Sequence, residues 1–414
     1  MRYLGLVCLL LMLCPAAMVV AEGVDTEASR QSIDQLEKFL QQSPQQRSQV
    51  TDEPFAKVPL TRDDAAKAKQ LLWDDFVARH KQECEAEVKS GQIVIGEHTM
   101  PIFVKRFGDK PFGERSLTIS MHGGGSTPPR VNDGQWENQK RLYTLEEGVY
   151  VAPRAPTNTW NLWHQRHIDP LFCRLILDMI ITEGVDPNRV YIIGYSAGGD
   201  GVYQLAPRLA DRWAGAAMMA GHPNETSPVG LRNTPFAIFM GGRDTGFNRN
   251  EIAAKWQTLL AELQEADPEG YPHRVTIYPN KGHWMDRQDA EGLPWLAQYS
   301  RNPAPRRLVW HQDDVIGADH FWLSVDPSQA KENDEVVVQV EGQSIELEDC
   351  DPRQLTLRLS DDLVDLEQPV RVISGTKVLW EGLSPRTIKN LASGIERRAD
   401  PHLAYPASID IELP

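Results

Sequence analysis

Between Ile93 and Asn302 the chain alternates short apolar runs with helical patterns, and this alternation leaves few folds open. The runs are Leu117–Met121, Val149–Ala152, Val190–Gly194, Ala216–Met219, Phe236–Met240 and Val275–Tyr278, each short and apolar enough for a buried strand. Between several of them lie Leu171–Thr182, Ala197–Leu209 and Glu251–Leu263, where apolar residues recur at helical spacing. Strands linked through helices pair in parallel by crossover connections, because a tight turn reverses the chain. The segment 93–302 is therefore expected to be an α/β domain, with a mostly parallel sheet flanked by helices. Ile93–Ile95 and Pro101–Val104 lead into it as an expected antiparallel pair around Gly96-Glu97.

The flanks have other patterns. Residues 22–92 are polar and helix-favouring, a helical N-terminal segment. Ser32 is expected to cap a short helix through Leu40, and Gln41–Ser48 to interrupt it. Thr61-Arg62-Asp63-Asp64 should open a longer helix carrying Ala65, Ala68, Leu72, Phe76 and Val77. From 303 to 414 short runs at Leu308–Trp310, Phe321–Val325, Val336–Val340, Leu355–Leu359, Val370–Ile373 and Ile409–Ile411 predict a β-rich, sandwich-like domain. One helix is expected there at Arg386–Arg398, and the domain reads as a structural cover for the one before it. At the N-terminus, Met1-Arg2, the apolar run Leu4–Leu13 and Val19-Val20-Ala21 read as a signal peptide over 1–21, cleaved near Ala21. The apolar run is too short to span a bilayer, so the protein is expected to be secreted or periplasmic.

Composition narrows the partners. With 41% hydrophobic and 24% charged residues in 414, the chain is neither wholly disordered nor a polytopic membrane protein. A formal net charge of −15 argues against a nucleic-acid partner. Of five cysteines, Cys84, Cys173 and Cys350 lie beyond residue 21, so at most one disulfide forms and a thiol stays free. Spacing alone leaves a Cys84–Cys350 pair open.

The chemistry concentrates in the middle block. Gly194-Tyr195-Ser196-Ala197-Gly198-Gly199 follows one expected strand and opens one expected helix. A serine nucleophile on such a tight turn needs glycines as near neighbours, because the crowded backbone leaves no room for Cβ atoms. His122-Gly123-Gly124-Gly125 follows the strand Leu117–Met121. Glycines there let main-chain N–H groups approach a tetrahedral oxyanion, which makes Gly123, Gly124 and Ala197 the expected donors. Asp244 and His283 come 48 and 87 residues after the serine, each just past an expected strand, where open α/β sheets place their sites. The order Ser, Asp, His suits an acyl-transfer triad. Trp160, Trp163 and Trp284 are candidates to wall a substrate pocket. His164 and His167 have no identifiable third ligand, and neither a metal nor a cofactor is expected.

Residues Leu117 to Trp284 resemble the α/β-hydrolase superfamily, nearest to its polyhydroxybutyrate-depolymerase-like and feruloyl-esterase-like members. The resemblance is carried by the glycine run at 122–125, Val185-Asp186-Pro187-Asn188-Arg189-Val190-Tyr191, the Ser196 turn and the surroundings of Asp244 and His283. It implies Ser196 as nucleophile, Asp244 as acid and His283 as base. The favoured reading is a secreted carboxylic-ester hydrolase acting on a small-molecule or polymer-linked ester. A serine peptidase of the prolyl-oligopeptidase kind and a non-catalytic binding protein on the same fold are the competing readings.

Overall fold

The computed structural model describes residues 24–413, and the segment read as a signal peptide lies outside them. Helix α1 (Thr26–Leu40) starts earlier than Ser32 suggested, because Asp25 is the cap: its carboxylate accepts from the Glu27 and Ala28 amides. Ser32 instead sits within the helix and bonds back to the Ala28 carbonyl at 2.9 Å. Helix α2 (Arg62–Ser90) is capped by Thr61, as its sequence predicts, and ends at Gly91, whose φ of 70° closes it.

The central sheet follows. Its strands are β1 (Gln92–Ile95), β2 (His98–Phe107), β3 (Arg115–Met121), β4 (Gly148–Pro153), β5 (Val185–Tyr195), β6 (Gly215–Met219), β7 (Phe236–Gly241) and β8 (His273–Tyr278). They lie in the order β1-β2-β4-β3-β5-β6-β7-β8. The first two strands are antiparallel, and from β4 to β8 every pair is parallel. This is the α/β-hydrolase architecture. Helices α3 (Pro129–Gln139), α4 (Ile168–Glu183), α5 (Ala197–Arg208), α6 (Arg249–Ala266) and α7 (Gly292–Leu296) provide the crossovers and cover. Parallel strands packed on both faces are apolar throughout, and Ile119, Ile192, Ile193, Ile238 and Phe239 are wholly buried. The run Val185–Arg189, expected ahead of the serine strand, is the first part of β5 itself.

Beyond Asn302 the chain builds two sheets. One has the order β16-β15-β13-β12-β9 and the other β10-β11-β14-β17. Their strands are β9 (Arg307–His311), β10 (Asp319–His320), β11 (Leu323–Ser324), β12 (Glu335–Glu341), β13 (Ser344–Cys350), β14 (Gln354–Leu359), β15 (Val370–Ser374), β16 (Lys377–Gly382) and β17 (Ala407–Glu412). Leu308, Val338 and Ile345 of one sheet share a core with Leu355, Leu357 and Ile409 of the other, the packing of a sandwich. The expected strand Phe321–Val325 is instead the closing half of a hairpin. Phe321 turns the chain at φ 52°, and its amide donates to the Asp211 carboxylate at 3.0 Å. Cys84, Cys173 and Cys350 are free thiols, so no Cys84–Cys350 bond forms. No helix among the described residues is long and apolar enough to cross a membrane.

The three blocks are joined by two buried contacts. Helix α8 (Ile388–Arg398) leaves the sandwich and packs Leu391 and Ile395 against Leu36, Phe76 and Leu177, so α1, α2, α4 and α8 share one apolar core. Alongside runs a buried ionic network. Arg398 pairs with Asp211 on the hydrolase side, Arg301 reaches Asp400 at 2.8 Å, and Arg212 donates to the Arg398 carbonyl at 2.8 Å. Burial pushes the Asp400 carboxyl up, but Arg301, Arg212 and His402 outweigh it and hold the group down to about 2. Removing one member of such a set leaves an uncompensated buried charge. Arg398→Met is therefore expected to cost about 3–5 kcal/mol. The urea midpoint should fall accordingly, and an unchanged midpoint would show that the network holds nothing together.

Candidate active site

The site is built on the turn between β5 and α5. Ser196 has φ 58° and ψ −124°, a conformation costly for a residue with a Cβ. The turn closes only because its neighbours are glycines. A Cβ on Gly194 would lie 2.1 Å from the Gly198 carbonyl oxygen, and one on Gly198 would lie 2.2 Å from that of Met121. Neither glycine has a positive φ, so close approach rather than backbone freedom selects them. The Ser196 amide is fixed by the Met219 carbonyl at 2.8 Å.

The two partners arrive from the next strand ends. Asp244 follows β7 and is buried, and His283 follows β8 with an imidazole about half exposed. His283 Nε2 lies 3.0 Å from Ser196 Oγ, and its Nδ1 lies 2.7 Å from Asp244 Oδ2. All three residues singled out in the sequence therefore meet. Sequence reasoning missed Tyr195, whose hydroxyl donates to the His283 carbonyl at 2.7 Å and accepts from the Met285 amide at 3.1 Å. It ties the loop carrying the histidine to the strand carrying the serine. As the variable position of the serine motif, it gave no signal in the sequence.

The glycine run approaches from β3. A Cβ at Gly123 would lie 3.0 Å from Ser196 Cβ, so this backbone lies directly against Ser196. Gly124, at φ 119°, passes against Asn132, whose Oδ1 accepts the Gly125 amide at 2.9 Å. The Gly125 donor is thus occupied. Ala197 opens α5, where the first N–H groups lack helical partners. His122 is wholly buried beneath the loop, with Nδ1 2.6 Å from the Gly123 carbonyl and Nε2 accepting the Ala155 amide at 3.2 Å. These partners require the proton on Nδ1. Burial pushes the His122 imidazole down to about 4, only partly offset by the Gly123 bond.

A cavity of about 720 Å³ opens beside Ser196 and His283, with Gly123, Gly124 and Trp284 in its walls. The three candidate tryptophans divide. Trp284 lines the cavity and is half exposed, whereas Trp160 is exposed outside its lining, edge-on to His164. Trp163 walls nothing: it is wholly buried, and its indole donates to the His122 carbonyl at 2.8 Å. Two lining arginines, Arg141 and Arg287, went unnoticed in the sequence, and the lining contains no Asp or Glu. His167 stacks on His98 at 3.8 Å while His164 meets Trp160, so the two histidines have separate partners. Among the described residues one trio, Glu225, Asp313 and Asp314, brings carboxylate oxygens within 4.8 Å of one another, and it shares no residue with this cavity.

Residues 152–312 match the dienelactone hydrolase family, whose members are α/β-hydrolases. A poly(3-hydroxybutyrate) depolymerase of Ralstonia pickettii is 26% identical over 170 residues, 36% of this chain and 35% of that protein. A bifunctional acetylxylan esterase/xylanase of Neocallimastix patriciarum is 26% identical over 174 residues, 39% of this chain and 25% of that protein. The chain thus spans about a third or less of the length of these two relatives. The crystal structure of a thermostable esterase aligns with 51% of this chain and 62% of its own, at 20% identity and a TM-score of 0.40.

His122 and His164 share an acid liability. Burial, with Arg208 nearby, pushes the His164 imidazole down to about 4 as well. A histidine whose folded value lies below its ordinary 6.5 binds fewer protons folded than unfolded. Stability is then complete above about 6.5 and falls as pH drops toward 4, by up to about 3 kcal/mol per group. Urea unfolding at pH 7 and pH 4.5 should show this loss. His164→Phe is expected to shrink it, and an equal loss in both proteins would remove His164 from the account.

Proposed function

We propose that the protein is a secreted serine hydrolase cleaving carboxylic esters through Ser196, His283 and Asp244 and an acyl-enzyme intermediate. The observation that carries this reading is the pair of distances at His283, 3.0 Å to Ser196 Oγ and 2.7 Å to Asp244 Oδ2, around a serine held at φ 58°. In the first half-reaction neutral His283 accepts the Ser196 proton at Nε2 as Oγ attacks the ester carbonyl. Asp244 keeps the other proton on Nδ1 and stabilises the imidazolium. The oxyanion is received by main-chain N–H groups from the 123–124 loop and from Ala197, each such donor contributing about 3 kcal/mol. His283 returns the proton to the departing alcohol, and water repeats the cycle on the acyl-enzyme. His122 anchors the Gly123 carbonyl, which orients the 123–124 peptide before substrate arrives.

The cavity supports a further reading of the substrate. Among the described residues, Arg141 and Arg287 are the permanently charged groups of the lining, and Arg287 is tied to the Arg141 carbonyl at 3.1 Å. An ester that also carries a carboxylate suits them, since guanidinium groups recognise that anion by paired hydrogen bonds. Secretion rests on the sequence of residues 1–21.

One substrate panel tests both parts: a short p-nitrophenyl ester, its analogue with a terminal carboxylate, and a p-nitroanilide. Ser196→Ala should lower ester turnover by several orders of magnitude; unchanged turnover ends the triad reading. Faster cleavage of the anilide than of the ester would favour the peptidase, and no turnover of any substrate by the parent protein would favour the binding protein. Arg287→Gln is expected to raise KM for the carboxylated ester about tenfold more than for the neutral one. An equal change for both would remove the anionic group.

A further inference from the structure

The loop between Asp244 and α6 breaks three local rules within a few residues. Phe247 and Asn248 are both left-handed, at φ 55° and 57°, and neither is glycine. Helix α6 has no side-chain cap, although Asn248 occupies the capping position. Its first residue is Arg249, a cation at the positive end of the helix dipole. Each choice costs free energy, and such costs persist where the surroundings enforce them for a purpose.

What the loop achieves is the placement of Arg249. The guanidinium turns back over the loop and stands above the Phe247 ring at 4.8 Å. Its Nη1 reaches the Gly246 carbonyl at 3.4 Å and lies 3.8 Å from Asp244 Oδ1. That oxygen is not the one facing His283, which is Oδ2. Arg249 is mostly buried, and its Nε has no hydrogen-bond partner. The loop is pinned besides by the Asn250 amide on the Asp244 carbonyl at 3.1 Å and the Asn250 side chain on the Gly242 carbonyl at 3.1 Å. One carboxylate is thus shared between the imidazole on one oxygen and a permanent cation on the other.

We propose that Arg249 is a positioning residue that holds Asp244 between two partners and thereby weakens its hold on the protonated His283 ring. This rests on the triad reading above. A fixed positive charge beside Asp244 competes with the imidazolium for the same carboxylate. The protonated ring is therefore less favoured than an isolated Asp–His pair would make it. The sharing also fixes the carboxylate plane, and with it the direction of the His283 ring.

Other charged groups surround the pair. Asp200 on α5 and His222 after β6 both feel Arg249, and burial pushes the Asp200 carboxyl up to about 6. Lys281 and Asp286, paired at 2.6 Å, and Arg287 lie on the histidine loop. Arg243 stands beside Asp244 in the chain, Tyr195 lies under the His283 ring, and Asp289 lies beyond it, hydrogen-bonded to Tyr143. All of them are common to the parent protein and to an Arg249 variant, so a difference between the two reads Arg249.

The experiment is the pH profile of kcat/KM for a neutral p-nitrophenyl ester, measured on the full chain. Arg249→Gln should move the acid limb up by about half a pH unit, so that one unit below the parent's limb the variant keeps about threefold less of its plateau activity than the parent does. Arg249→Lys keeps the charge and should restore the parent limb. Arg249→Met, of similar bulk and no charge, serves if the glutamine variant does not fold. Asp200→Asn is combined with Arg249→Gln to separate the titration of that carboxyl, and the shift should persist. An unmoved limb with a lower plateau or lower Tm makes Arg249 merely structural and overturns the proposal. So does a shift that vanishes in the Asp200→Asn background. Ser196→Ala in the same assay keeps the outcomes apart: turnover surviving there defeats the triad, whereas a normal serine dependence with an unmoved limb defeats Arg249 alone.

Discussion

The close passage of three backbones at the β5–α5 turn is the constraint on which the site depends. Gly194, Gly198 and the Met121 carbonyl approach too tightly for any Cβ, and this contact presses the first turn of α5 against the end of β3. Two consequences follow from one packing event. Ser196 is forced into a conformation that projects its hydroxyl out of the turn, and the glycine run after Met121 is delivered against it. Ser196 and the candidate oxyanion donors are therefore placed by the same contact, ahead of any substrate.

Much of this was legible in the sequence because the constraints are local. Buried parallel strands must be apolar, so β3 to β8 stood out as runs, and the crowded turn must be glycine-flanked, so Ser196 stood out too. Asp244 and His283 were found by chain order, since each need only follow a strand. What escaped depends on partners distant in sequence or on weak patterns. Helix α3 begins at Pro129, just after Pro128, and carries Gly134, which masks its period. Strands β13 and β16 alternate apolar with charged residues or are largely exposed, so neither forms a run. Trp163 and Trp284 look alike as letters; one satisfies its indole on a buried carbonyl and the other faces the cavity. Only the tertiary fold separates them.

The C-terminal sandwich is bound to the hydrolase domain by charge as much as by apolar contact. Arg398 and Asp211 belong to different blocks of sequence, yet each is the other's buried counter-ion. Pairs of this kind add little net stability over a well-packed apolar contact, but they penalise separation heavily because each charge left alone is desolvated. With α8 also roofing α1 and α2, the sandwich is a structural partner of both preceding blocks rather than a module on a tether.

The distribution of strained residues extends the same logic to the site. Of the twelve non-glycine residues with positive φ among the described residues, eight lie in loops that follow the parallel strands at their carboxyl ends: Ser126, Ser196, Ala220, Asn224, Phe247, Asn248, Asp286 and Arg287. Each costs about 1–3 kcal/mol and survives only where flanking structure over-determines it. The buried strands provide that support, since each loop is held at its entry by a parallel ladder packed on both faces. Two of the strained pairs lie on the loops bearing Asp244 and His283: Phe247-Asn248 brings Arg249 to Asp244, and Asp286-Arg287 brings Arg287 to the cavity beside His283. Stability stored in the sheet is thus expended at one rim, where it fixes side chains that relaxed loops would leave free to wander.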